Sequence, residues 1–214
     1  MSAAVKVPNL DAVEAITSSR IIAIVREHSA DPAKREVDRL VAAGVRAIEV
    51  SLSTPGALDV ARWMAEGLSG EGLHFGVGTV LTARDVEDAA SAGASFIVSP
   101  ISSTGILGAC KELALASVVG AMTPTECVNA AGAGADLVKL FPAGNWTPGT
   151  LRGLLEALPF LKLVPTGGIR LSEAGAWLDA GAVALGMGGG LRSGGPAAQL
   201  REAIVSLRET VGHS

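Results

Sequence analysis

Tyrosine is missing from the 214 residues, and only four phenylalanines and three tryptophans are present. A core so poor in rings must be filled by Ala, Val, Leu and Ile, which suits helices laid closely over parallel strands. Cysteine is scarce too: Cys110 and Cys127 lack a CxxC spacing and sit among apolar neighbours in helical patterns. That excludes a disulfide framework and predicts buried free thiols. The three histidines, His28, His74 and His213, show no HxH or HExxH spacing, so no metal is expected. His28 and His213 read as surface or terminal residues, and His74 as the start of a strand. No apolar run reaches the roughly 20 residues that span a bilayer, and MSAAVKVPNLDAVEAITSS at the N-terminus has neither a signal-peptide h-region nor a cleavage site. A cytoplasmic protein away from membranes is expected. The formal charge of −4 is spread over interspersed acids and bases, with no basic stripe for a nucleic-acid backbone. There is no GxxxxGK, nor a GxGxxG followed by an acidic ribose ligand, so no nucleotide cofactor is expected.

What is present is a repeat. Short Val/Ile/Leu-rich runs alternate with helical patterns, the signature of βα units. Candidate strands are IIAIV (21–25), AIEVSL (47–52), HFGVGTV (74–80), FIVSP (96–100), ASVVGA (116–121), LVKLFP (137–142), KLVPTGG (162–168) and AVALGMG (182–188). Eight units predict a single α/β domain over 1–214, a (β/α)8 TIM barrel, with a short N-terminal helix over 1–20 packed on it. Helix starts are marked at Asp31-Pro32, Thr54-Pro55, Thr82, Thr123-Pro124, Thr147-Pro148 and Ser172-Glu173. Helix ends recur as AAGVRAIEV, SAGASFIVS, GAGADLVKL and DAGAVALGM, with Gly closing the helix and an apolar strand following.

Five residues past the glycines of these four segments stand Glu49, Val98, Lys139 and Gly186, on strands two, four, six and eight. Alternate strands of such a barrel contribute residues to one interior layer. If Lys139 points inward from ADLVKLFPAG, Glu49 faces it at the same height, while Val138 and Leu140 turn to the helices. The eighth strand offers only Ala184 and Gly186 inward, which predicts room there for a small ligand. A lysine out of water loses its proton more readily and becomes a nucleophile for carbonyls, and a buried glutamate holds its proton longer. Together they suit Schiff-base chemistry, which needs an amine and a proton carrier. A buried ion pair that only fills the barrel is the competing reading.

Pro165-Thr166-Gly167-Gly168-Ile169-Arg170 and Gly186-Met187-Gly188-Gly189-Gly190-Leu191-Arg192 end the last two strands. Loops at that place in the fold commonly bind phosphate through glycine N–H groups, although glycines also serve plain tight turns. Arg26 ends the first strand, where it either takes a carboxylate or is a solvated loop residue. Thr79 offers a hydroxyl at the end of strand three, or is simply a strand former.

With motifs IAIVR, GVRAIEVSL, GVGTVL, FIVSP, MTPTE, LVKLFPA, PTGGI and GMGGGL in this order from Ile21 to Leu191, the sequence resembles the 2-keto-3-deoxy-6-phosphogluconate (KDPG) aldolase family. That family includes the 4-hydroxy-2-oxoglutarate (KHG) and 2-keto-3-deoxy-6-phosphogalactonate aldolases. The resemblance implies a metal-free class I aldolase, usually a homotrimer, of Entner–Doudoroff-type carbohydrate metabolism. It implies Lys139 as the Schiff-base lysine and Glu49 as the general acid/base. Thr79 and Thr166 would contact the pyruvyl carboxylate or neighbouring oxygens, Phe141 would pack on the ketoacid, and Gly167, Gly168, Gly188 and Gly189 would cradle phosphate. Well-studied members carry an arginine where Ser53 stands; Arg26 is the substitute, as in other members. A family serine in the last glycine loop is Gly189 here, which brings an unphosphorylated 2-keto acid into consideration. Two rivals remain: a phosphosugar isomerase or epimerase with Lys139 as an electrostatic group, and a non-catalytic phosphate-ligand binding protein.

Overall fold

Alternating apolar runs and amphipathic stretches resolve into eight parallel strands and their helices in the computed structural model, which describes residues 10–68 and 72–209. The order is α1 (Leu10–Ser19), β1 (Ile21–Val25), α2 (Ala30–Ala42), β2 (Ala47–Ser51), α3 (Ala57–Gly67), β3 (His74–Gly78), α4 (Ala83–Ser91) and β4 (Phe96–Val98). There follow α5 (Thr104–Leu113), β5 (Ala116–Ala121), α6 (Pro124–Gly132), β6 (Leu137–Leu140), α7 (Pro148–Ala157), β7 (Leu163–Pro165), α8 (Ala174–Asp179), β8 (Leu185–Met187), α9 (Gly189–Arg192) and α10 (Ala197–Glu209). Each strand pairs with its sequence neighbour, β8 pairs with β1, and a parallel bridge between Thr166 and Gly186 closes the ring from β7 to β8. This is the TIM-barrel architecture.

Every expected strand is present, but six end earlier or begin later than the hydrophobic pattern suggests. Past several strand ends the pattern continues because Val80, Ser99 and Thr166 are also buried, in loops that leave the barrel at its C-terminal mouth, whereas Phe141 beyond β6 is exposed there. The chain turns sharply there: Thr79 has φ 62 and Gly167 has φ 98. The four repeat glycines behave as read, since Gly44, Gly93, Gly134 and Gly181 have φ between 85 and 102, which only glycine adopts without strain.

Caps Thr82 and Thr123 form full capping boxes with Asp85 and Glu126, and Thr147 accepts the Thr150 N–H. Three expected starts are displaced. α2 begins before Asp31, with Ser29 at its cap position. α3 starts after Gly56, and Thr54, read as its cap, is buried and instead accepts the Glu27 N–H at 3.1 Å. Ser172 and Glu173 belong to a 3-10 turn ahead of α8, where the Glu173 carboxylate accepts the Arg170 N–H.

Two apolar clusters hold the fold. The larger lies between strands and helices; the smaller fills the barrel with Ile22, Ala47, Phe96, Val98, Ala116, Val118, Leu137, Val164 and Ala184, joined from below by Ala12 and Ile16 of α1. Thus α1 stoppers the N-terminal end, within the region expected to be helical; residues 1–9 of that expectation, and His213, lie outside the described residues. Cys110 and Cys127 are buried free thiols. Burial pushes their thiols up to about 12 and about 11, with Asp136 adding to the first and Glu126 to the second, so both are inert as nucleophiles.

Candidate active site

The β6 strand LVKL is buried along its whole length, and its lysine faces inward with 6% of its surface exposed. Across the barrel Glu49 of β2 is 1% exposed. Inward room for that carboxyl comes from β3: a Cβ on Gly78 would stand 2.5 Å from the Glu49 carboxyl carbon, and one on Gly76 would stand 2.4 Å from the Phe96 ring. The strand HFGVG therefore has glycine where the barrel must admit a ring at one level and a carboxyl at the next. The room for a small ligand expected beside Gly186 is also present, since Gly186 lines the cavity described below. Its missing side chain also admits Thr166, whose hydroxyl oxygen would lie 2.2 Å from an added Cβ.

Electrostatics set the two groups apart from ordinary Lys and Glu. Burial lowers the Lys139 pKa; Glu49 opposes this and Arg26, a like charge, adds to it. Burial raises the Glu49 pKa to about 7, against the pull of Lys139 and then Arg26. A carboxyl poised there both gives and takes protons near neutrality. Its Oε2 is buried without a hydrogen-bond partner, which points to a ligand or water in the reacting space. The Lys139 Nζ stands 4.9 Å from the centroid of the Phe141 ring.

Above this pair opens a cavity of about 720 Å³, within the range of small-ligand sites. Arg26, Thr79, Lys139, Phe141, Thr166, Gly167, Gly168, Gly188 and Gly189 all line it, so the geometry brings the residues singled out from sequence to one place, with Glu49 buried beneath. Their environments refine what each offers. Thr166 already donates its hydroxyl to the Val164 carbonyl at 3.0 Å, leaving only its lone pairs for a ligand. Thr79, a β-branched residue at positive φ, has its hydroxyl 2.7 Å from that of the buried Ser51, which also lies 2.8 Å from the Ser53 hydroxyl. Ser53, Ser51 and Thr79 thus form a chain of hydroxyls.

Sequence reading missed Ser51, Arg170 and Arg192. Ser51 could have been found, because it follows Glu49 by two and must share its face. The two arginines stand in the quoted glycine-rich segments, but only the fold shows that they reach the cavity wall. Both are already engaged: Arg170 pairs with Glu173, and Arg192 with Glu27 at 2.8 Å. Among the described residues no group of three or more His, Cys, Asp or Glu side chains comes together as a metal site. No helix among them is long and apolar enough to cross a membrane.

The comparisons with known proteins agree with one another. A family model described as KDPG and KHG aldolase matches residues 13–199. A probable 2-dehydro-3-deoxy-6-phosphogalactonate aldolase from Rhizobium meliloti (strain 1021) is 31% identical over 182 residues, covering 83% of this chain and 84% of the relative. A 2-dehydro-3-deoxy-phosphogluconate aldolase from Zymomonas mobilis is 34% identical over 159 residues, covering 73% and 74%. Among solved structures, a native KDPGal structure superposes with a TM-score of 0.79 at 28% identity, covering 89% of this chain and 95% of that one. Since the family match runs from α1 to α10 and takes in both the lysine strand and the glutamate strand, the chain belongs to the KDPG and KHG aldolase family and is a lyase.

Proposed function

We propose that the protein reversibly cleaves 2-keto-3-deoxy-6-phosphogluconate to pyruvate and glyceraldehyde 3-phosphate through a Schiff base on Lys139. The observation that carries this is the buried Lys139 and Glu49, their pKa values moved toward each other from opposite sides, under an arginine-lined mouth.

The neutral amine of Lys139 attacks the C2 carbonyl, and protonated Glu49 gives its proton to the resulting hydroxyl, which departs as water. The iminium is the electron sink. Glu49, now a carboxylate, takes the proton of the C4 hydroxyl; the C3–C4 electrons flow to the iminium nitrogen, and the aldehyde leaves. Reprotonation at C3 and hydrolysis free pyruvate and restore the lysine. Arg26 and Thr79 hold the C1 carboxylate, Thr166 faces neighbouring oxygens, and Phe141 packs along the ketoacid. Backbone N–H groups of Gly167, Gly168, Gly188 and Gly189 take the phosphate, at the place where barrels of this kind bind it. No metal enters these steps.

A second reading is the phosphogalactonate substrate. It is favoured because the relatives from Rhizobium meliloti and Escherichia coli are named for that activity, at 31% and 28% identity. We further read the whole chain, 1–214, as one barrel domain working in the cytoplasm, where phosphorylated sugar acids are retained, within Entner–Doudoroff-type metabolism. Exposed Leu81, Ile101 and Met122, on the loops after the adjacent strands β3, β4 and β5, support assembly, as a homotrimer.

The test is to incubate the protein with pyruvate and sodium borohydride and to locate the reduced adduct by peptide mass spectrometry. The adduct is expected on Lys139 and absent from Lys139→Ala. Folded protein without any adduct would overturn the Schiff-base reading in favour of an isomerase or a binding protein.

A further inference from the structure

We infer that Arg192 is a positioning residue for Arg26: from the segment after the neighbouring strand β8 it holds the backbone that carries the carboxylate-binding arginine. This rests on the aldolase reading above.

The peptide unit joining Arg26 to Glu27 leaves β1 at the lip of the cavity, and side chains from two other elements hold both of its polar groups. Its carbonyl, that of Arg26, accepts from Arg192 Nη2 at 2.9 Å. Its N–H, that of Glu27, donates to Thr54 Oγ1 at 3.1 Å. Thr54 is 1% exposed and its own N–H is bound to the Ser51 carbonyl at 2.9 Å, so this end is tied to β2. The Arg192 end is held by a half-exposed side chain through two contacts. Nη2 carries two hydrogens, and besides the Arg26 carbonyl it meets Glu27 Oε1 at 2.8 Å. The short helix α9 that bears Arg192, and the turn after it, are in turn held to α2 by Arg39, which donates to the Leu191 carbonyl at 3.1 Å and to that of Gly195 at 2.9 Å.

A peptide plane held at both ends resists rotation, and the Arg26 Cα is one of its corners. The direction in which the Arg26 side chain leaves the backbone is therefore fixed by β2 on one side and by the turn after β8 on the other. That matters because Arg26 differs from the other two arginines of the mouth. Arg170 and Arg192 are neutralised by Glu173 and Glu27, whereas no described carboxylate lies within ion-pair distance of Arg26. A long side chain without such a partner loses rotamer freedom when it grips a ligand, and a fixed origin reduces what must be ordered.

The experiment uses pyruvate alone, which has a carboxylate and no phosphate, and follows exchange of its methyl protons for deuterium by NMR. Arg192→Ala is expected to raise KM for pyruvate on the order of tenfold with kcat within about twofold, the pattern of a lost ground-state grip. Arg192→Lys, which keeps a donor, restores most of the affinity. Glu27→Gln, which loosens the ion pair with Arg192 but leaves its hydrogen bond to the Arg26 carbonyl, gives a smaller rise of the same kind and serves if Arg192→Ala does not fold. In an Arg26→Met background, Arg192→Ala adds nothing further to KM, because the group being positioned is gone. Additive effects in that double variant, or an unchanged KM in the single variants, overturn the inference. Absence of exchange in the unmodified protein is a different result, which sinks the aldolase reading itself.

Discussion

Glu49 is a carboxyl that the fold holds at a disadvantage. Its pKa is pushed from an ordinary value of 4.5 up to about 7, so the folded protein binds this proton more tightly than the unfolded chain. Below about pH 4.5 the group takes nothing from stability; between there and about 7 stability falls as pH rises; above 7 the loss is complete, on the order of 3 kcal/mol. Glutamine is neutral throughout that window. Glu49→Gln should therefore melt higher than the unmodified protein at pH 8, with the difference shrinking toward pH 5, while aldol cleavage falls by about 10² to 10⁴. Differential scanning calorimetry across pH decides the first half, and a melting difference that does not vary with pH would remove the argument.

Elements, and not only residues, are shaped to the site, and β3 is the example. Its two inward glycines serve different neighbours, so the same substitution should fail differently at each. Gly76→Ala drives a methyl into the Phe96 ring within a closed core and should destabilise by about 1–3 kcal/mol. Gly78→Ala meets the Glu49 carboxyl instead. It should lower kcat well before it lowers Tm, a contrast that thermal melts and steady-state rates on the two variants will show. The sequence made β3 legible as a strand but not as a shaped one, because a glycine says that space is needed without saying for whom. Lys139 and Glu49 were legible at equal height because the helix-closing glycines of the repeat act as rulers: Gly44 and Gly134 are each followed by strand after three residues. Thr54 was misread as a cap since Thr-Pro is common at helix starts; its partner, the Glu27 N–H, lies on another strand's loop. Arg192 escaped for the same reason, being 166 residues from the carbonyl it serves. Periodicity reports what is near in the chain, and the mouth of a barrel is assembled from what is far apart.

At the scale of the molecule, the exposed apolar side chains Leu81, Ile101 and Met122 lie on one arc of the mouth, at 50%, 45% and 42% exposure. Light scattering should give a particle three times the 21.5 kDa chain mass, and Ile101→Asp should shift it toward the monomer. A monomeric unmodified protein would refute the assembly. The stopper formed by Ala12 and Ile16 of α1 has a kinetic meaning. Together with the side chains packed inside the barrel it makes the cavity a blind alley, with Lys139 on its wall. On the Schiff-base reading proposed above, whatever is bonded to Lys139 would leave last, and the aldehyde, nearer the exit, would step out before water follows it in to release pyruvate.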